Sequence, residues 1–505
     1  MLPLIALLGG LTVLLQTSLY GAGLTPDSAQ YLSTARNLIA GQGWVQYQSA
    51  PYVSWPPLFP GLLALLGAAT GADPLLLSRY LNAVIFSLLI FYFGRFLLEF
   101  SRSPALATLG ALLTLLAVPV ERSACFAWSE PLFILLLLLG WRQLSRFLAD
   151  GKSTTLLLAA VFAGLAGLTR YLGVTLVLAG VALLAIQPAT AWRKRLGRGL
   201  GFAALGWLPL GGWLLRNYLV TGTLTGKRYP SALSLLHNLK QTAVLLSHWF
   251  LPAGVPQFLR ISALALLLLA AAGIELAPFF RQRQNPSLPP CHLATLPPSF
   301  AGLVLAGVYL GVLIVLTAWV GSDPIDDRLL APVYLPLAFL VAHAFWNLPQ
   351  LFPRISARFP ARPVLLAAGC LWLVYPGWRT LQWTELQLEL GAGGYASRAW
   401  QESETIVWLR NHSLDRELFS NDPAALYLLT ERSAQPSPQK YALNSRARLP
   451  DPLPAFAQKS RGGCLVWFKR ASGLYSPLPE LESAVPLTPV REFADGAIYA
   501  IGPGP

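Results

Sequence analysis

Charge is scarce in this chain of 505 residues. Asp, Glu, Lys and Arg make up 12% of it, against roughly 25% in soluble domains. With 54% hydrophobic residues and a mean hydropathy of +0.52, the shortage excludes an ordinary soluble enzyme and indicates a polytopic membrane protein. Cysteine is equally sparse. Cys125, Cys291, Cys370 and Cys464 show no CxxC spacing, so neither a disulfide framework nor a thiolate metal site is expected, and all four read as packing residues. The five histidines do not cluster; His237 and His248 share a helical face but stand roughly 16 Å apart, too far to share a metal ion. Acidic residues number 23 against 37 basic ones, for a formal charge of +14. The basic residues lie between apolar segments, a pattern of topology control and anionic-lipid contact rather than of nucleic-acid binding. Charge is also nearly absent from the middle of the apolar runs: Glu99, Glu121, Glu130 and Glu275 fall near their ends. That argues against ion-coupled transport through the bilayer midplane.

What is present is a series of apolar segments, at 2–19, 75–98, 104–121, 129–148, 153–169, 171–187, 198–216, 258–279, 299–320, 329–347 and 363–379. They amount to about eleven spans. With the N-terminus inside, every second connection should be basic. Arg95 and Arg102, then Arg142, Arg146 and Lys152, then Arg193, Lys194, Arg195 and Arg198, then Arg281 and Arg283, then Arg354, Arg358 and Arg362 keep that parity. The tail after Thr380 is therefore expected outside, with the Tyr20–Pro60 loop. The first segment lacks a basic flank and a cleavage site, so it reads as a span rather than a signal peptide, with a start set slightly too late.

Two outer loops carry helical patterns. Thr25-Pro26-Asp27-Ser28 reads as a helix start, with Thr25 as N-cap and Pro26 at the first helical position. Tyr31, Leu32, Ala35, Leu38 and Ile39 then share one face of an amphipathic helix over about 27–40, stopped by Gly41 and Gly43. A second amphipathic helix, about 231–250, places Leu235, Leu236, Leu239, Leu246 and Phe250 on a stripe opposite Asn238, Lys240 and Gln241, as for a helix lying flat on a membrane surface. The proline-rich stretch Asn285–Pro298 reads as disordered. From about Thr380 charged residues return. Helices are expected over Trp400–Asn411 and from Asp422-Pro423 to Leu429, a buried strand over Cys464–Phe468, and a hairpin turning at Asp495-Gly496. The expected domains are thus 1–379, transmembrane, and 380–505, a small extracytoplasmic α/β unit.

Polar groups gather at the outer boundary: Asp27, Tyr31, Trp128, Glu130, Arg170, Arg216, Lys227, Arg228, Asp326, Asp327 and Arg328. The segments PDSAQYLSTARNLIAGQGW, WPPLFPGLLALL, SEPLFILLLL, GLAGLTRYLG, WLLRNYLVTGTLTG and DDRLLAPVYLPL, in this order and sidedness, resemble the GT-C class of polytopic glycosyltransferases. The likeness is to its protein mannosyltransferase and aminoarabinose-transferase-like family, and it runs over nearly the whole chain. The resemblance implies an all-α polytopic fold with a small α/β tail. It implies transfer of a sugar, hexose or pentose, from a polyprenyl-phosphate donor to a lipid, glycan or protein acceptor on the extracytoplasmic face of the plasma membrane of a prokaryote. Asp27 would be the general base, with Glu130 as a second acid; many relatives carry an Asp-Glu pair where this chain has Asp27-Ser28. A carboxylate suits proton removal from an attacking hydroxyl, and fixed cations suit the departing lipid phosphate. Arg170, Arg216, Lys227, Arg228 and Arg328 are the candidates for the phosphate, and Tyr31, Trp55, Trp128, Asp326 and Asp327 for substrate. No cofactor is identified, and a divalent metal is left open. Each residue also has a plainer reading, Asp27 as a helix-dipole residue and Arg170 as a snorkelling anchor among them. The rival functions are a lipid-linked glycan flippase, which would need a polar path across the bilayer, and an inactive membrane scaffold.

Overall fold

The computed structural model describes residues 1–187, 190–284, 296–351, 361–443, 445, 447–470 and 473–502. Most of the 285–298 stretch, Cys291, Arg354 and Arg358 lie outside them. Helix α1 (Leu2–Gln16) leads to α2 (Pro26–Ile39), α3 (Leu58–Thr70), α4 (Pro74–Ser101), α5 (Pro104–Leu115), α6 (Val118–Cys125), α7 (Glu130–Asp150) and α8 (Ser153–Thr169). A single 3-10 turn, Tyr171–Gly173, precedes α9 (Val174–Ala185), α10 (Trp192–Thr221), α11 (Leu235–Phe250), α12 (Gln257–Gln284), α13 (Pro298–Trp319), α14 (Asp327–Leu351), α15 (Ala361–Trp372) and α16 (Val374–Leu390).

Helices occupy all eleven expected places, but among the described residues only six are long and apolar enough to cross a membrane: α4, α7, α12, α13, α14 and the α15–α16 run. The expected 104–121 span is broken into α5 and α6, bent by 53°. Pro119 supplies the reason, since it lacks an N–H and its ring clashes with the carbonyl of the preceding turn. Counted as one, the bent pair makes seven, while α1, α3, α8 and the 171–185 segment are shorter apolar helices. Helix α3 is an element the span reading did not contain. Large apolar side chains face outward along these helices, among them Leu4, Leu65, Leu158, Leu208 and Leu266, the surface of a multi-pass protein that meets lipid.

Between the helices the core is dense. Trp141 sits among Phe96 and Phe339 at ring distances of 4.6 and 5.1 Å and donates its N–H to the Pro298 carbonyl. Gly302 admits the indole; a Cβ there would lie 2.5 Å from it. Helix α2 forms as expected, with a reciprocal capping box between Thr25 and Ser28 and Gly41 at φ +74° closing it. Its polar face is not solvated, however. Ser28, Ser33 and Thr34 are buried along with Tyr31, Leu32 and Ala35, because α2 is held between α3 and a tail helix, Pro423–Thr430. Helix α11 turns Asn238 inward, where it donates to Thr317 at 2.9 Å, while Lys240, Leu235, Leu236 and Leu239 face out and Leu246 is buried.

The tail carries a five-stranded sheet in the order β2-β1-β3-β5-β4, built from β1 (Leu418–Ser420), β2 (Gln435–Pro436), β3 (Cys464–Phe468), β4 (Leu487–Glu492) and β5 (Gly496–Ile501). The pairs β2-β1 and β1-β3 are parallel, and β3-β5 and β5-β4 antiparallel. The buried strand and the hairpin stand where they were expected. The 400–411 helix is instead two, Arg398–Gln401 and Glu404–Asn411, with Ser403 capping the second through the amide of Ile406.

Candidate functional site

Helix starts converge at one point. Pro26 opens α2 and leaves Asp27 in its first turn, where a carboxylate is favoured by the helix dipole. Asp326 accepts the Leu329 amide at 2.9 Å and so caps the start of α14, which presents Arg328. Glu130 opens α7, and Arg170 ends α8 in an extended conformation.

Asp27, Arg328, Glu130 and Arg170 form a single network with Asp323. The Arg328 guanidinium pairs with Asp27 at 2.8 Å, with Asp323 at 2.8 Å and with Glu130 at 3.5 Å. Arg170 pairs with Glu130 at 2.6 Å. Side-chain exposure runs from 2% at Glu130 through 6 and 7% at the two arginines to 16% at Asp27 and 47% at Asp323. Glu130 is therefore the innermost carboxylate, Asp27 is partly exposed, and Asp323 is the most open to solvent. Three carboxylates face two guanidiniums, a formal excess of one negative charge. Burial and the neighbouring charge of Asp27 push the Asp323 carboxyl above its ordinary range, against the pull of Arg328.

Aromatic rings wall the network. Arg328 lies 4.8 Å from the Trp128 ring centre and Arg170 5.5 Å from that of Trp55, distances at which the ring quadrupole attracts a cation. Trp128 donates its N–H to Thr25 at 2.8 Å, and the Tyr31 hydroxyl meets Ser129 at 3.3 Å. Burial raises the Tyr31 phenol well beyond its ordinary value, so it serves only as a neutral hydrogen-bonding group.

The remaining candidates are placed differently. Arg216 donates to the carbonyl of Tyr52 at 2.7 Å and of Trp44 at 3.5 Å, and Arg228 to that of Ser54 at 3.3 Å. With Tyr171, whose hydroxyl donates to the Val53 carbonyl, they clamp the strap that ends at Trp55. Lys227 is exposed and has no ion pair or hydrogen bond among the described residues. Asp327 accepts the indole N–H of Trp249 at 2.8 Å. Asp323, Ser129 and Thr25 were missed as site residues; the Asp-Pro pair at 323–324, itself a helix-start signal, was the available hint to the first.

A divalent metal does not fit this arrangement. No three His, Cys, Asp or Glu side chains converge for one among the described residues, and the carboxylates that come nearest already hold guanidiniums.

No family model and no curated protein matches the sequence. Solved structures do. The chain is similar to ArnT from Cupriavidus metallidurans in its apo state, with a TM-score of 0.63 at 13% identity over 97% of this chain and 96% of that one. The same protein bound to undecaprenyl phosphate gives 0.60 at 14% identity, over 99% and 97%. The apo oligosaccharyltransferase of Archaeoglobus fulgidus gives 0.54 at 12% identity, over 98% and 74%. All of these are GT-C glycosyltransferases. The chain has the GT-C fold.

A second feature of this GT-C fold is linked to the charged network through Trp249. An apolar cavity of about 380 Å³ opens between α5, α11, α12, α14 and α15, lined by Leu109, Leu268, Tyr334, Phe345, Trp372 and Trp249 among others. Trp249 is the residue that holds Asp327, next to Arg328. At His248, next to Trp249 in the chain, Arg260 approaches the ring at 3.2 Å and Arg379 donates to the carbonyl at 3.1 Å. Burial and these two guanidiniums pull the His248 imidazole below its usual range.

Proposed function

We propose that the chain is an inverting, single-displacement glycosyltransferase that moves a sugar from a polyprenyl-phosphate donor to an acceptor hydroxyl on the extracytoplasmic face. About eleven membrane passages, the N-terminus inside and the tail outside belong to the same reading. The observation that carries it is a partly open carboxylate, Asp27, bonded to a nearly buried guanidinium, Arg328, with a second arginine–carboxylate pair behind it.

The chemistry follows from that order. An acceptor hydroxyl reaches the partly exposed Asp27 and gives it its proton as its oxygen bonds the anomeric carbon. The bond from that carbon to the phosphate oxygen breaks, and the charge that grows on the phosphate is received by Arg328 and Arg170. Arg328 is occupied by Asp27 in the free protein. Arrival of the donor phosphate competes for it and leaves an Asp27 lone pair for the hydroxyl. Tyr31, Trp55 and Trp128 border the space the sugar would take. The apolar cavity suits a prenyl chain, and Arg260 and Arg379 meet at His248, the residue next to the cavity-lining Trp249. Glu130, the most buried of the acids, holds both arginines in place.

The test is Asp27→Asn in cells that depend on the chain. Loss of the glycan product by lipid and glycan mass analysis, with undecaprenyl phosphate binding by the purified protein kept, is the expected result. Product at the wild-type level would end the assignment of the base.

A further inference from the structure

We infer that the glycine turn Gly391–Gly394 of the tail is a positioning element for the site, and that the tail completes it; this rests on the proposed role of Asp27. The residues just before α2 form the middle of a miniature three-stranded sheet. On one edge the Gly23 amide donates to the Cys125 carbonyl at 2.8 Å, and the Ala127 amide to the Gly23 carbonyl at 2.9 Å. On the other edge the Leu24 amide donates to the Gly393 carbonyl at 3.3 Å, and the Tyr395 amide to the Leu24 carbonyl at 2.9 Å. Asp27 and Glu130 both leave this sheet within a few residues, one from its central strand and one from its inner strand. Their separation is thus set by the register Gly23–Phe126, and the tail supplies the outer strand through the pairing Leu24–Gly394.

The outer strand can approach only because it is glycine. Gly394 has φ +58°, and a Cβ on it would lie 1.8 Å from the Leu24 carbonyl oxygen. Gly393, at φ +102°, faces the Phe126 ring, where a Cβ would be 2.9 Å away; a Cβ on Gly23 would stand 2.6 Å from the same ring. Phe126 is therefore clasped by both strands and stacks on Trp128 at 4.1 Å, the ring that lies against Arg328. Beyond the turn, Tyr395 donates its hydroxyl to Asp422 at 2.8 Å. Asp422 caps the Pro423–Thr430 helix, and that helix meets α2 again where Arg36 donates to the Tyr427 hydroxyl. The tail grips the base-bearing helix at both ends.

Three full-length variants test this: Gly394→Ala, Tyr395→Phe, and Gly462→Ala as a control of equal backbone demand (φ +73°) whose added Cβ meets open space. Hydrogen–deuterium exchange is read on peptides covering 21–31 and 123–131, beside undecaprenyl phosphate binding and the cellular glycan profile. Gly394→Ala is expected to raise exchange in both peptides by about tenfold or more. Product should fall by on the order of a hundredfold and undecaprenyl phosphate binding by a clearly smaller factor, since Glu130 and Trp128 also hold the arginines assigned to the phosphate; general unfolding would not produce that split. Tyr395→Phe should move exchange and product in the same direction to a smaller extent, and it decides the matter if Gly394→Ala does not fold. Gly462→Ala should change none of the three. Wild-type exchange or wild-type product in a folded Gly394→Ala protein, or in Tyr395→Phe where that variant decides, overturns the inference. Asp27→Asn separates it from the underlying reading: that variant should lose product with exchange unchanged, and if it keeps product the base fails while the exchange data still judge the turn.

Discussion

Arg328→Met removes a charge while keeping most of the volume, and the structure says where the cost falls. Three carboxylates would then face only Arg170. Asp323 is half-exposed, so its share is screened to under about 1 kcal/mol. Asp27 and Glu130 are left in a low-dielectric site with one guanidinium between them, and stripping one partner from a buried ion pair costs about 3–5 kcal/mol. Neutralising the buried acid should give part of that back. In a cycle of wild type, Arg328→Met, Glu130→Gln and the double variant, unfolded in detergent, the double variant should be more stable than the sum of the singles by about 1–3 kcal/mol. The same guanidinium is assigned to the donor phosphate, where a charge-assisted hydrogen bond contributes about 1.5–3 kcal/mol. Undecaprenyl phosphate affinity should therefore fall by about 10- to 150-fold. Strict additivity in the stability cycle would show that the ion pairs are not coupled as the geometry requires. Unchanged affinity would remove Arg328 from the phosphate site.

Other consequences are as definite. Lys227→Ala should leave both melting temperature and undecaprenyl phosphate affinity unchanged, since the side chain is exposed and unpaired; a loss of affinity would return it to the phosphate site. The Asp323 carboxyl is raised by burial and by Asp27, so its ionisation costs stability above its folded pKa, a cost absent below the ordinary value. Because Asp323 is half-exposed the effect is screened and small: Asp323→Asn should raise the melting temperature slightly at pH 7 and lose that advantage as pH falls toward about 4, and an advantage that grows toward acid would reverse the sign assigned here. Gly302→Ala forces a methyl against the Trp141 indole and should destabilise by about 1–3 kcal/mol, measurable by detergent unfolding. Chelation should change neither stability nor undecaprenyl phosphate binding, and stoichiometric binding of Mn²⁺ by the wild-type protein would contradict the arginine-filled site.

Local chemistry was readable from the chain alone. Thr25, Pro26 and Gly41 mark α2 because caps and turns act within a few residues, and the apolar runs mark helices for the same reason. What was not readable is which way a boundary side chain turns. Arg216, Arg228 and Arg328 are alike in sequence: cations at an outer helix end. Only the fold distinguishes a guanidinium spent on the carbonyls of Tyr52, Trp44 and Ser54 from one aimed at three carboxylates. Nor does spacing separate Asp323 from Asp326 and Asp327. All three lie within five residues at the start of α14, yet one reaches Arg328, one caps α14 and one takes the Trp249 indole.

The same distinction explains why so little sequence identity is needed to keep this fold. Asp27 and Arg328 are 301 positions apart, and nothing local links them; what brings them together is two helix starts meeting at a common level. A helix start needs a cap, a proline or an acid, which many sequences supply. The demanding positions are instead those where the backbone itself is approached, Gly23, Gly393 and Gly394 among them, and these lie outside the charged network. If that is right, exchanging Leu335 or Leu340 within α14 for another aliphatic residue should cost under about 1.5 kcal/mol and leave the site intact. A single methyl at Gly394, more than sixty residues away along the chain and touching no charge, should disturb it more than either. Comparing cellular product from Leu335→Ile, Leu340→Ile and Gly394→Ala strains decides between the two accounts: equal losses would mean that ordinary helix packing, not the strand register before α2, holds the carboxylates in place.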